Sequence, residues 1–145
     1  MSWEQTKFSF SPRSRGCYLV TDEVLKNLPQ IKKYKVGMLN LFVQHTSCAL
    51  SLNENWDPDV RTDMTTALNM ICPDNGGGKC QFIHTDEGPD DMSGHVKSSL
   101  IGASLNIPIS NGRLATGTWQ GIWLLEFRDY RHTRHCVATI NGLKE

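Results

Sequence analysis

SLNIPISNGRLATGTWQGI, residues Ser104–Ile122, is the stretch on which the fold reading turns. It reads as a strand, a tight turn at Asn111-Gly112, a second strand, and a glycine-bounded entry into an aromatic strand. Asn-Gly supplies the positive φ values of a type I′ turn, so the flanking strands form a hairpin. Working outward, strands are expected at 105–109, 113–116, 118–127 and 133–140, and before them at 3–10, 36–44 and 48–53. Phe8 and Phe10 share one face of the first. The segment 36–44, VGMLNLFVQ, is apolar at nearly every position and predicts a strand covered on both faces. Cys48, Leu50 and Leu52 alternate with Ala49, Ser51 and Asn53. Trp119 and Trp123 fall on one strand face with Gln120 on the other, which suits a core or a subunit interface.

Helices fill the gaps. Thr21-Asp22-Glu23 opens a short one by capping, with Val24, Leu25 and Leu28 as its apolar side. Asp57 is a good N-cap, Pro58 suits the first helical position, and Asp59 complements the dipole. Val60, Met64, Ala67, Leu68 and Ile71 then recur at helical spacing until Pro73 and the Asn-Gly-Gly-Gly run. Val96, Leu100 and Ala103 predict a further helix, entered at Ser93 and stopping near Gly102. Strands outnumber helices and are joined by short turns, so antiparallel sheet with helices packed on it is the expected class.

The 145 residues fit one domain spanning 1–145, with no repeat, low-complexity tract or linker. Lys plus Arg balances Asp plus Glu at 15 each, and the basic residues are scattered, which argues against nucleic acid or membrane as a partner. The five cysteines contain no C-x-x-C pair and read as core thiols of a reducing compartment. No apolar run approaches a signal-peptide core or the ~18 residues of a membrane span. A cytoplasmic location is expected.

Three histidines far apart in sequence, His45, His84 and His95, each sit beside small polar or acidic residues. Neutral imidazole is the commonest ligand for zinc, and a catalytic site needs about three protein ligands plus an open position. They converge if His84 ends a strand, His95 sits in the first turns of the following helix, and His45 closes the buried strand. Asp86, Glu87, Asp90 and Asp91 crowd between the last two histidines, where they either cap the helix or help hold a divalent ion. Glu54 is a candidate acid, base or histidine-orienting carboxylate. Lys97, Arg113, Arg128, Arg131 and Arg134 are candidates for an anionic substrate group, and His132 and His135 read as solvated. No glycine-rich phosphate cradle opens a helix, so a phosphate grip falls to metal and side chains.

These residues carry a resemblance. Together with SRG at Ser14–Gly16, LVTDE at Leu19–Glu23, QHTS at Gln44–Ser47, LNEN at Leu52–Asn55, the Asp57–Met64 run and DDMSGHVKSS at Asp90–Ser99, the 104–122 stretch resembles the signature of the YjbQ-like family across nearly the whole chain. The resemblance implies a strand-rich α+β domain, mostly an antiparallel β-sandwich with two or three helices packed on it, assembled as a homotrimer. It also implies a thiamine-phosphate synthase activity, in which an aminopyrimidine diphosphate is attacked by a thiazole phosphate and pyrophosphate leaves.

Carried over by position, His45, His84 and His95 would hold a divalent ion, with Zn²⁺ first and Mg²⁺ or Mn²⁺ as alternatives. Glu54, Glu87 and Asp90 would serve as catalytic carboxylates; Thr46, Ser47, Lys97, Arg113 and Gln120 would contact a small phosphorylated metabolite. Two departures from the family pattern stand out: a longer stretch at Gly76–Phe82, and Gly94 where Ser or Ala is expected. Two other functions use the same residues. One is metal-dependent hydrolysis of a phosphorylated metabolite; the other is a non-catalytic trimeric module that binds a small anion or a metal.

Overall fold

The computed structural model describes residues 1–75 and 81–145. Eight strands, three α-helices and one 3₁₀ turn follow in order: β1 (Ser2–Ser9), β2 (Gly16–Leu19), α1 (Thr21–Asn27), a 3₁₀ turn (Pro29–Lys33), β3 (Tyr34–Val43), β4 (Cys48–Glu54), α2 (Pro58–Ile71), α3 (Asp91–Ile101), β5 (Ser104–Ser110), β6 (Arg113–Leu114), β7 (Gln120–Glu126) and β8 (His135–Lys144). They form a five-stranded sheet, β1-β8-β3-β5-β6, and a three-stranded sheet, β2-β7-β4. Every ladder is antiparallel. The fold is α+β, and its two sheets share one core.

Leu39, Leu41, Ile107 and Ile140 from the larger sheet meet Cys48, Leu50, Ile122 and Leu124 from the smaller one, and Val24, Leu28 and Ile31 close one end. A second apolar cluster lies on the outer face of the small sheet, where Ala49, Trp123, Leu125 and Phe127 pack against Leu68 of α2 with Met64 and Ile101 beside it. Six consecutive residues of β7, Gly121–Glu126, are therefore buried. β7 is the strand covered on both faces, not β3. In β3, Leu39, Leu41 and Val43 face the core while Val36, Met38 and Phe42 are exposed, because no helix of the described residues covers the outer face of the larger sheet.

Local chemistry accounts for most element ends. Asp57 caps α2 by accepting the Asp59 amide at 2.9 Å, and Pro58 takes the first turn. Asn111 (φ 50°) and Gly112 (φ 77°) form the left-handed pair of the β5–β6 turn. Thr21, in contrast, does not cap α1: the cap residue is Val20, and the Thr21 hydroxyl accepts the Ile122 amide at 2.9 Å, tying the helix to β7. β2 was not expected from sequence; its four residues are too few for a periodic signal. The strand expected at 113–116 shrinks to Arg113–Leu114.

The aromatic strand starts at Gln120, after a turn closed by Gln120 Oε1 accepting the Gly117 amide at 2.8 Å. Trp119 consequently leaves the sheet. It is 61% exposed and meets Trp56 edge-on at 6.4 Å, whereas Trp123 is fully buried. The two tryptophans do not share a face.

α3 presents an inward face of Asp91, Ser93, Gly94, Lys97 and Ser98, and Leu100 points outward. The apolar spacing of Val96, Leu100 and Ala103 located this helix but not its buried side. Polar side chains win that side because each finds a partner: Ser98 Oγ donates to the Cys48 carbonyl (2.7 Å), and Ser93 Oγ to Asp74 (2.8 Å). A Cβ at Gly94 would meet the Phe127 and Ser47 Cβ atoms at ordinary contact, 3.4 and 3.5 Å, so this departure leaves room for alanine. Burial pushes the Cys48 thiol up to about 12 and the Cys136 thiol up to about 11, as expected for inert core thiols. The Gly76–Phe82 expectation, with Cys80, falls largely outside the described residues.

Candidate metal centre

The end of β3, the start of β4, the end of β7 and the N-terminus of α3 lie at one end of the sandwich. There Asp91 and His95, four residues apart on α3, share one side of the helix. The loop before α3 delivers His84 to them; it is pinned by Asn75, whose side chain accepts the Phe82 amide (2.9 Å) and whose amide donates to Pro89 O (3.0 Å). His84 Nε2 lies 2.7 Å and His95 Nε2 3.0 Å from the same oxygen, Asp91 Oδ2. The two rings are 5.5 Å apart. Among the described residues this is the one His/Cys/Asp/Glu group of three or more with ligand atoms within 4.8 Å of one another.

The surroundings set the orientation of each donor. The Thr46 carbonyl, an acceptor only, lies 2.7 Å from His95 Nδ1, so Nδ1 carries the proton and Nε2 is turned to Asp91. Arg128 grips the other side of the carboxylate. Its Nη1 donates to Asp91 Oδ1 (2.8 Å), its Nε to Asp90 Oδ2 (3.0 Å) and its Nη2 to Glu87 O (2.8 Å). Burial pushes the Asp91 carboxyl up, but the His84 hydrogen bond and the charges of His95 and Arg128 outweigh it and hold the group below the usual carboxylate range.

The donor set fits a divalent ion: two imidazole nitrogens and a carboxylate, with a carbonyl behind one histidine. Tetrahedral bonds of ~2.0–2.1 Å place ligand atoms about 3.3 Å apart, so the two histidine nitrogens would draw back from Asp91 Oδ2 by about 0.6 and 0.3 Å. Beside it lies an open cleft of about 620 Å³ lined by His45, Thr46, His95, Ser98, Ser99, Gly102 and Ala103.

His84 and His95 come together as the sequence suggests, but His45 does not join them. Its Nε2 accepts the His135 amide at 2.6 Å, and its ring stacks on His135 at 5.4 Å. It faces the cleft instead. Burial, then the neighbouring Arg134 and His135, hold it below the usual imidazole range, so it is neutral near pH 7. Asp91 supplies the third donor. Its signal lay in the Asp91/His95 spacing, one turn apart, among four acids that otherwise look alike.

Of the expected carboxylates, Asp90 braces the loop by accepting the Asp129 amide (2.8 Å) and Arg128. Glu87 is exposed, and its carbonyl rather than its carboxylate engages Arg128. Glu54 accepts the amides of Trp56 and Asp57 at 2.5 and 3.0 Å, capping the turn into α2. It stands at the far end of β4, six residues or about 20 Å from Cys48. Gln120 pairs with Glu54 there, and Arg113 pairs with Ser110 opposite Val36 near the start of β3. Within one chain, then, Glu54, Arg113 and Gln120 are at the opposite end from the centre.

Thr46 lines the cleft, whereas Ser47 is buried and accepts Arg134 Nη2 at 2.9 Å. Lys97 is fully buried, donating to Asn69 Oδ1 at 2.7 Å over the Phe127 ring. Arg134 is buried against Glu126, and Arg128 is committed to the two aspartates. These three cations serve the scaffold. No helix among the described residues is long and apolar enough to cross a membrane.

Comparison with known proteins agrees with this architecture. The family model for UPF0047 protein YjbQ-like matches residues 6–143. The UPF0047 protein YjbQ of Escherichia coli O157:H7 is 47% identical over 140 residues, covering 97% of this chain and 99% of its own. The Bacillus subtilis UPF0047 protein YugU is 37% identical over 106 residues, 73% and 75% of the two chains. A solved YjbQ/UPF0047-family protein from Clostridium acetobutylicum superposes with a TM-score of 0.79 at 32% identity, over 94% and 99% of the chains. One from Sulfolobus solfataricus P2, described as YbjQ-like, superposes at 0.80 with 25% identity, over 97% and 98%. Sequence and fold together place the chain in the YjbQ-like UPF0047 family.

Proposed function

We propose that His84, Asp91 and His95 form a divalent-metal centre that acts on a small phosphorylated metabolite in the adjoining cleft. The observation that carries this reading is the convergence of two imidazole nitrogens on one buried carboxylate oxygen, at 2.7 and 3.0 Å. An ion bound there would supply Lewis-acid stabilisation of the charge that develops on a departing phosphate oxygen.

The chain's own residues do the rest. Arg128 keeps Asp91 Oδ2 turned to the histidines by holding Oδ1. Thr46 O fixes the His95 tautomer. His45, neutral with its proton on Nδ1, is placed at the cleft to donate to a substrate oxygen or to take part in proton transfer. Thiamine-phosphate synthesis is the reaction that the family resemblance supplies, and we carry it as the first to assay. Hydrolysis of a phosphomonoester needs only the centre and a water, so the same geometry serves it. We also propose homotrimeric assembly, supported by the exposed Trp56–Trp119 pair and the uncovered Val36, Met38 and Phe42 face.

Elemental mass spectrometry on tag-free protein is the deciding experiment, with wild type beside His84→Ala and Asp91→Asn. Near-stoichiometric metal in the wild type, lost in both folded variants, is expected. No metal after incubation with Zn²⁺, Mn²⁺ or Mg²⁺ overturns the reading. With a loaded centre, pyrophosphate release only when both heterocycles are present identifies the synthase, whereas turnover of a single phosphorylated substrate identifies a hydrolase.

A further inference from the structure

At the end of the sandwich opposite the metal centre, a second hollow of about 360 Å³ opens between α1, the 3₁₀ turn and β6. Its construction begins at the Asn111-Gly112 turn. The Asn111 amide donates to Lys35 O and the Gly112 amide to Tyr34 O, both at 2.7 Å, which seats the turn on the segment entering β3. The seat is close: a Cβ on Gly112 would stand 2.8 Å from the Lys32 carbonyl, and the backbone there is left-handed. This contact brings Arg113 and Lys32 to the same mouth.

Below them the lining is mostly apolar, with Thr21 and Thr116 among it. Leu28 and Ile31 are fully buried at its floor, and Leu25 and Leu114 form its walls. Arg113 and Lys32 are both exposed, and the ion pairs of the described residues engage neither. Glu23, a carboxylate of α1, is already taken by Arg13 at 2.9 Å. A half-open, mostly apolar hollow with Lys32 and Arg113 in its lining and no acidic residue among its described lining is complementary to a molecule with an apolar body and one anionic end. A bare inorganic anion would leave the hollow unfilled, and a neutral hydrocarbon would leave the cations unused.

We propose that this hollow is a second ligand site, distinct from the metal centre, which takes one small soluble amphiphilic anion. The apolar body, a short acyl chain or an aromatic ring, lies over Leu28 and Ile31. The carboxylate or phosphate end lies between Lys32 and Arg113. Backbone hydrogen bonds seat the turn and the 3₁₀ segment that frame the hollow, so binding chiefly orders the Lys32 and Arg113 side chains.

Methyl NMR of the full-length chain, titrated with octanoate, octyl phosphate and neutral octanol, tests this. Saturable shifts confined to the methyls of Leu25, Leu28, Ile31 and Leu114, at one ligand per chain, are expected for the two anions. Whichever of the two binds tighter identifies the head group. Octanol should bind roughly tenfold or more weakly, since charge-assisted hydrogen bonds each contribute well over the neutral kind. The double variant Lys32→Gln/Arg113→Gln, altered only at exposed side chains, should weaken both anions to the level of octanol. Equal affinity for octanol and octanoate overturns the proposal, as does unchanged anion binding in the variant. So do shifts centred on Val36, Met38 and Leu143 of the open sheet face.

Discussion

Glu126→Gln removes a buried charge that lies beneath the proposed metal centre. Glu126 is 1% exposed, and Arg134 donates to its two oxygens from Nε and Nη2, each at 2.6 Å. Oε2 also accepts the amides of Phe127 and Arg128 at 3.0 and 3.1 Å. Arg134 Nη2 reaches on to the Ser47 hydroxyl and carbonyl at 2.9 and 3.2 Å, next to the Thr46 carbonyl that orients His95. The amide keeps the shape but turns an acceptor into a donor facing donors, and strands a guanidinium that is 5% exposed.

Breaking a buried pair of this kind costs about 3–5 kcal/mol. At about 2–4 °C per kcal/mol for a domain of this size, Tm should fall by roughly 6–20 °C. Urea unfolding followed by circular dichroism, with calorimetry for Tm, measures it. The double variant Glu126→Leu/Arg134→Met removes both charges and should recover most of the loss, because the penalty comes from the unpaired ion more than from the missing attraction. A loss below about 1 kcal/mol in Glu126→Gln, or no recovery in the double variant, would refute the reasoning. A folded Glu126→Gln should also hold metal roughly 10–100-fold more weakly, as expected when a partner behind the ligands is disturbed.

Three further outcomes are expected. Metal binding to His84, Asp91 and His95 should release protons and weaken on acidification, read by calorimetry in buffers of different ionisation enthalpy, while His45→Ala should retain the ion. Asp90 and Asp74 are each pushed up by burial but held below the usual range, by the Asp129 amide and Arg128 for Asp90 and by Arg15 and Ser93 for Asp74. Their stabilisation is therefore complete above the unfolded value near ~3.9 and is lost as pH falls through the lower folded values; the urea-midpoint difference between wild type and Asp90→Asn should be constant above about 5 and shrink below about 4. Gly142→Ala would drive a Cβ into the Val36 carbonyl and to 2.7 Å from Gly37 Cα, so β3 and β8 must part locally; a loss of about 1–3 kcal/mol is expected in the same unfolding assay.

Much of the fold was legible in the residues because its signals are local. The Asn111-Gly112 turn, the Asp57-Pro58 cap and the strand and helix periodicities each depend on a few adjacent residues. The residues themselves offered His45, His84 and His95 as candidate ligands, and the YjbQ-like resemblance strengthened that reading; of the three, only His84 and His95 come together. Which faces are covered was not legible, since coverage depends on partners from elsewhere in the chain. β3 and β7 are both apolar runs, yet only β7 lies under helices; α3 buries serines and a lysine because Cys48, Asp74 and Asn69 are there to receive them.

The candidate centre divides the same way. Sequence alone determined the chemical types on offer, two histidines flanking four acids; the helix begins at Asp91 rather than at the expected Ser93, and that sets Asp91 one turn from His95. Tertiary structure alone decided that Arg128 turns one oxygen of Asp91 toward both rings, that His45 is engaged by the His135 amide, and that Glu54, Arg113 and Gln120 stand at the other end of the strands. The reason is geometric. A strand carries its two ends some 20 Å apart whatever its composition, and the ladder register, not the residue type, determines which end each side chain joins.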